Sequence, residues 1–215
     1  DVNQCSDTDT QNVTVNPLPV VTFAGLNAEY CINEPAALLT PNTVGGLFTG
    51  TGINNGNYFE PRIAGVGNFT IVYAYRDQFQ CADTDTQTVI VHPLTPTTFS
   101  GLNNQYCVNA PTVTLTGNPA GGTFTGSGIS GNDFIAASAG TGFHFIRYTF
   151  TDANNCTNAD SLRIRVDALP VVSFTGLNPA YCIDAPIVQL SGNQSGGIFI
   201  GSGITGSRFI PSSAG

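Results

Sequence analysis

The sequence predicts an all-β chain built of tandem antiparallel β-sandwich repeats. Three observations predict it. First, one phrase occurs three times: Gly25 through Tyr30-Cys31 to Phe48-Thr49-Gly50, Gly101 through Tyr106-Cys107 to Phe124-Thr125-Gly126, and Gly176 through Tyr181-Cys182 to Phe199-Ile200-Gly201. A fixed period names the building unit, and a period of about 75 residues suits a small domain in an array. Second, apolar residues alternate with polar ones over short runs, and no stretch sustains a helical period. Third, Gly and Pro punctuate the runs at regular intervals.

The elements follow in order. Residues 1–17 are expected to be the last strand of a preceding repeat. Cys5-Ser6-Asp7-Thr8-Asp9-Thr10-Gln11 matches Cys81-Ala82-Asp83-Thr84-Asp85-Thr86-Gln87, and Val13-Thr14-Val15 alternates as a closing strand. The first full repeat is 18–93. Val20 to Phe23 reads as its opening strand, Ala37 and Leu39 mark the second, and Gly45-Gly46 turns the chain into a third at Phe48. Gly50 and Gly52 permit a bent connection with positive φ. Phe59 lies in a short strand, and Ala64-Gly65 turns into the penultimate strand, where Ile71, Tyr73 and Tyr75 share a face. Asp77 to Gln80 makes the last turn, and the final strand ends at Val91. The second repeat, 94–168, keeps this order with Val113, Leu115, Phe124, Ile146, Tyr148 and Phe150, and the first is longer by an extra Asn55 in a turn. Residues 169–215 form an incomplete repeat that stops before its last two strands. Seven short alternating strands with such turns read as an immunoglobulin-like sandwich. Short junctions such as Val91-His92-Pro93-Leu94 favour a rod, because proline stiffens them. Gly215 matches Gly140 and Asp1 matches Asp152. The chain therefore reads as a window on a longer array, whose third repeat is expected to look incomplete unless an adjacent copy completes it.

Composition narrows the function. The chain is 41% hydrophobic and only 9% charged, with net charge −8 and no Lys, Met or Trp. Without a basic cluster it suits neither nucleic acid nor an anionic membrane surface. No apolar run is long enough to insert in a membrane as a helix. Six cysteines fall into two sets, Cys5, Cys81 and Cys156, and Cys31, Cys107 and Cys182. No Cys-x-x-Cys pair exists and His92 and His144 do not recur with them, so disulfides in an oxidising extracellular or cell-surface setting are expected rather than zinc. The exposed faces carry Thr and Asn where sheet edges usually defend themselves with charge. Either bulges, turns and glycans cover these edges, or the edges pair with other copies of the chain.

Candidate chemistry is sparse, and no catalytic, metal-binding or cofactor-binding residue is assigned. His92 and His144 stand without a nucleophile. Gly50-Thr51-Gly52 precedes no helix and is a turn, not a phosphate loop. Asp7, Asp9, Asp77, Asp83, Asp85, Asp152 and Asp160 gather near the last turn, where oxygen ligands could hold calcium, but two or three carboxylates fit a solvated turn better. Asn12, Asn68, Asn155 and Asn193 begin Asn-x-Ser/Thr triplets. Tyr58, Arg76 and Phe79, departures in the loops of the first repeat, are the candidate site for a rival reading, a module that binds surface glycans or another ligand.

Tyr-Cys-Val-Asn-Ala-Pro at 106–111, Gly-Gly-Thr-Phe-Thr-Gly at 121–126 and Asp-Ala-Asn-Asn-Cys-Thr at 152–157 resemble the Ig-like and PKD-like tandem repeats of giant secreted surface proteins of Bacteroidota. That group includes gliding-motility adhesins and other cargo of the type IX secretion route. The resemblance covers the whole chain. It implies a stalk or fibre segment, non-catalytic, whose partners are neighbouring repeats and copies of itself. Asp160-Ser161-Leu162 is similar to the O-glycosylation triplet of such proteins, which makes Ser161 a candidate acceptor.

Two disulfide schemes stand. Pairing within a repeat joins Cys31 to Cys81 and Cys107 to Cys156. Sandwich topology favours the other. The corner holding Cys31 lies at one end of its repeat and the last turn, holding Cys81, at the opposite end. A disulfide requires Cα atoms within about 7 Å, and the following repeat would bring Cys156 to Cys31. Cys5, Cys81, Cys107 and Cys182 would then find partners outside the chain.

Overall fold

A computed structural model of the chain describes Val2, Gln4 and residues 6–215. Cys5 and its pairing lie outside the described residues. The fold is all-β, a run of immunoglobulin-like sandwiches.

The first repeat contains β1 (Phe23–Ala24), β2 (Glu29–Cys31), β3 (Ala37–Leu38), β4 (Thr40–Pro41), β5 (Leu47–Thr49), β6 (Ile53–Asn54), β7 (Tyr58–Phe59), a one-turn helix α1 (Pro61–Ala64), β8 (Gly67–Arg76) and β9 (Ala82–His92). One layer is the four-stranded sheet β2-β9-β8-β5, and the other is made of β3-β7-β6 and the pair β1-β4. The backbone of the repeat is the hairpin β8–β9, paired from Gly67 opposite Val91 to Arg76 opposite Ala82. Period-two alternation explains which side chains it buries. Ile71 and Tyr73 of β8, Val89 and Val91 of β9, Tyr30 of β2 and Phe48 of β5 face the opposite layer, where Phe23, Leu39 and Phe59 complete the core. Aromatic contacts link the layers: Phe48 lies 5.2 Å from Phe23, edge to face, and Tyr30 lies 5.3 Å from Phe59, while Phe48 also lies 4.5 Å from Tyr73 across the strands of its own sheet.

The second repeat has the same order: β10 (Thr98–Ser100), β11 (Gln105–Cys107), β12 (Val113–Thr114), β13 (Thr116–Asn118), β14 (Thr123–Thr125), β15 (Ile129–Ser130), β16 (Asp133–Phe134), α2 (Ala136–Ala139), β17 (Gly142–Thr151) and β18 (Thr157–Asp167). Its sheets are β11-β18-β17-β14, β12-β16-β15 and β10-β13. The third stretch holds β19 (Phe174–Thr175), β20 (Val188–Gln189), β21 (Ser191–Gly192), β22 (Ile204–Thr205), β23 (Arg208–Phe209) and a 3-10 turn at Pro211–Ser213.

Four features depart from the sequence reading. The four-stranded sheets are mixed, not purely antiparallel: β2 runs parallel to β9, with Cys31 opposite His92, and β11 runs parallel to β18. The opening strand is shorter than Val20 to Phe23, because only Phe23 and Ala24 find a partner, in β4. Ala64-Gly65 closes a helical turn begun by Pro61, whose fixed φ suits a first helical position. Val13-Thr14-Val15 forms no strand, and Val13 and Val15 are 82% and 89% exposed. Its counterpart β9 is held by pairing with β8, whereas among the described residues no strand pairs with 13–15. An isolated extended segment has no ladder to order it.

Candidate functional site: the junction between repeats

The feature that sets this chain apart from a string of loose sandwiches is the junction between its two full repeats. Cys31 is bonded to Cys156, with Cα atoms 5.4 Å apart and a sequence separation of 125. Each half is positioned by its own repeat. Cys31 ends β2, beside the last residue of β9. Its amide donates to Glu34 Oε1 at 3.0 Å, and its carbonyl accepts from the Glu34 amide at 3.0 Å. Cys156 ends the turn between β17 and β18. There Asp152 Oδ1 accepts from the amides of Asn154 and Cys156, both at 2.9 Å, while the Asp152 amide donates to the Cys156 carbonyl at 3.0 Å. Asn155 adopts φ 62°, a conformation that Asn tolerates better than most residues. The turn between β8 and β9 is built alike, with Asp77 Oδ1 accepting from Phe79 and Cys81.

The linker is tied to this same turn. Thr95 Oγ1 donates to Asp152 Oδ2 at 2.9 Å, and Asn158 Nδ2 donates to the Thr95 carbonyl at 2.9 Å. Across the junction, Asn33 Nδ2 donates to the Thr157 carbonyl at 3.3 Å. Burial pushes the Asp152 carboxyl up. The amide of Cys156, the hydroxyl of Thr95, the amide of Asn154 and the nearby His92 outweigh it and hold the group below its ordinary value.

The within-repeat pairings do not form. Cys81 and Cys107 are free thiols, as is Cys182. The reason is the length of β9. Cys31 sits beside His92 at one end of this 11-residue strand, and Cys81 immediately precedes the other. At about 3.4 Å per residue the ends lie some 35 Å apart, far beyond the reach of a disulfide.

The other candidate residues are scattered. Asp85 Oδ2 accepts from the Phe23 amide at 3.0 Å and from Gln87 Nε2, which fastens β1 to β9. Among the described residues no three His, Cys, Asp or Glu side chains converge to hold a metal ion. His92 Nε2 lies 3.0 Å from Glu29 Oε2, and His144 Nε2 donates to the Gly140 carbonyl at 2.9 Å. Tyr58 lies on β7, whereas Arg76 ends β8 and Phe79 lies in the β8–β9 turn, where Arg76 donates to the Gln80 carbonyl at 2.8 Å. The trio therefore divides between two sheets. Ser161 is exposed on β18 with its amide on Asp160 Oδ1. Asn193 is engaged through both ends of its amide, to Ser173 and Val171. The residues that sequence reasoning missed are Asp77 and Asp152 as holders of the cysteine turns. The spacing Asp-x-x-x-Cys, present in both, was the available signal.

No protein-family model and no curated protein sequence matches the chain. Solved structures that it resembles include a Ca2+-stabilized adhesin with which an Antarctic bacterium binds ice, at 15% identity and a TM-score of 0.35. That likeness covers 87% of this chain and 60% of the adhesin.

Proposed function

We propose that the chain is a tension-carrying segment of an extracellular fibre, filament or adhesin stalk, and that it has no catalytic role. The observation that carries this reading is the Cys31–Cys156 bond. It spans a junction rather than a core, and it removes 125 residues from the path along which force can extend the chain. Pulling on the two ends loads the covalent bond, while β3 to β9 and β10 to β17 stay inside the closed loop. A persistent disulfide belongs to an oxidising compartment, which supports a surface location. The resemblance of the repeat phrases to secreted Bacteroidota proteins supports assignment to that class of surface stalks.

Single-molecule stretching tests the proposal. A residue adds at most 3.3–3.6 Å of contour, so reduction should release roughly 410–450 Å of extra length that the oxidised chain withholds. Equal contour lengths with and without reductant would remove the mechanical reading.

A further inference from the structure

One sheet face of the second repeat departs from its counterpart in the first. On the outer side of β11-β18-β17-β14, β17 presents Phe143, Phe145 and Arg147, and β18 presents Ser161, Arg163 and Arg165. All six are exposed, Phe143 to 59% and Phe145 to 66%. The register sets them in three rungs: Phe143 opposite Arg165, Phe145 opposite Arg163, and Arg147 opposite Ser161. Successive rungs lie about 7 Å apart along the hairpin. The matching rungs of the first repeat are Asn68 with Ile90, Thr70 with Thr88, and Val72 with Thr86. No charge and no aromatic ring stands there. Exposure of such a face does not depend on its neighbour. At the first junction Asn68, Thr70, Thr88 and Ile90 are exposed although the second repeat is bonded beside them.

The charges on this face are short of partners. The chain has 14 acidic residues against 6 arginines, and three of the six arginines stand here. Among the described residues Arg147 and Arg163 form no salt bridge, and Arg165 Nε lies 2.6 Å from Asp167 Oδ1. The other oxygen of Asp167 accepts from Gln105. Asp160 stands opposite Tyr148, which alternation turns to the inner face. What holds Arg163 is a ring: its Cζ lies 3.9 Å from the Phe143 centroid, with Arg165 Cζ at 5.9 Å. Stacking orients a guanidinium and leaves its in-plane N–H donors free.

We propose that this face binds an acidic polysaccharide, a chain of uronic acid sugars lying along β17 and β18. The forked donors of Arg147 and Arg163 match carboxylates, which guanidinium groups take in bidentate fashion. Phe143 and Phe145 offer flat apolar surface to the C–H faces of sugar rings. Ser161, and Thr125 opposite Arg147 on β14, offer hydroxyls to theirs. A peptide is a poorer fit. β17 and β18 are the inner strands of their sheet, with neighbours on both sides, so no edge is open there for strand addition. At physiological salt, charges beyond about 8 Å are largely screened. The sign of the face, not the net −8 of the chain, therefore governs what it attracts. Binding stands whether or not the junction carries tension.

The test titrates the full 215-residue chain into a fluorescent oligogalacturonate and follows its anisotropy. The expected result is saturable binding that weakens as salt is added. The double variant Arg147→Ala, Arg163→Ala should bind at least about tenfold more weakly. Phe145→Thr should also weaken binding, and Arg76→Ala, in the first repeat, should leave it unchanged. The methyl-esterified oligomer keeps the sugar rings without the charge and should not bind. Polyglutamate keeps the charge without the rings and should bind more weakly than the oligogalacturonate. No binding by the wild-type chain, wild-type affinity in the double arginine variant or in Phe145→Thr, or equal binding of either control polymer would overturn the proposal.

Discussion

Two polar side chains in this core do work that alternation alone does not reveal. Tyr73 and Tyr148 fall on inward positions, which is legible from Ile-x-Tyr in both repeats. What their hydroxyls do is not. Tyr148 donates to the Pro119 carbonyl and accepts from the Gly122 amide at 2.8 Å, and Tyr73 likewise joins the Thr43 carbonyl to the Gly46 amide. These partners lie 26 to 30 residues earlier in the chain, a distance at which local sequence carries no signal. Tyr148→Phe leaves the Gly122 amide unpaired in a largely buried place, and the expected loss is about 1–3 kcal/mol, measured by urea unfolding. A wild-type midpoint would show that water replaces the hydroxyl.

Asp152 makes a second residue-scale prediction. Its folded pKa is lowered from 3.8, so the turn gains stability from the ionised form. That gain is complete above the unfolded value and is lost as the pH falls through the lower folded value. The difference in stability between wild type and Asp152→Asn should be constant at neutral pH and shrink below about pH 4. A difference independent of pH would mean that the carboxylate charge plays no part in holding the cysteine turn.

Among the elements, the long hairpins were the most legible and the short strands the least. β8 and β17 alternate over 10 residues, and their inward set is readable without coordinates. β2 and β11 have 3 residues each, too few for a period, and their parallel pairing to the far end of the repeat is a tertiary outcome. α1 hides in Pro61-Arg62-Ile63-Ala64, where Pro suggests only a turn. Val13-Thr14-Val15 shows the converse, since its pattern is that of a strand but a strand exists only with a partner. The register of β17 can be tested across one step of its alternation. Ile146 is fully buried and Phe145 is 66% exposed. Ile146→Ala should therefore cost about 2–5 kcal/mol, while Phe145→Thr should stay within about 0.5 kcal/mol. A larger loss at Phe145 than at Ile146 in thermal unfolding would place the wrong face inward.

At the scale of the whole molecule, each full repeat has its own core and the covalent link lies between them. The buried clusters of the first and second repeats share no residue. Nothing in the sequence announces that Cys31 sits on a strand of its own, because three residues leave no periodic trace. Separate cores and a shared bond lead to a specific expectation for the double variant Cys31→Ser, Cys156→Ser. Each repeat should keep its fold, because Cys31 and Cys156, though buried, belong to neither hydrophobic cluster. The unfolded chain, however, loses a cross-link that closes a 125-residue loop. In the chain-entropy model such a loop is worth about 5 kcal/mol, and the whole of it is felt only when both repeats unfold together. Guanidinium unfolding of the oxidised wild type should then proceed at a higher midpoint, with the two repeats coupled. In the variant the repeats should separate into independent transitions at lower denaturant. A variant that unfolds at the wild-type midpoint would mean that the Asn33–Thr157 contact and the linker bonds through Thr95 already fix the junction. A variant that fails to fold would mean that the repeats depend on one another for more than the bond between them.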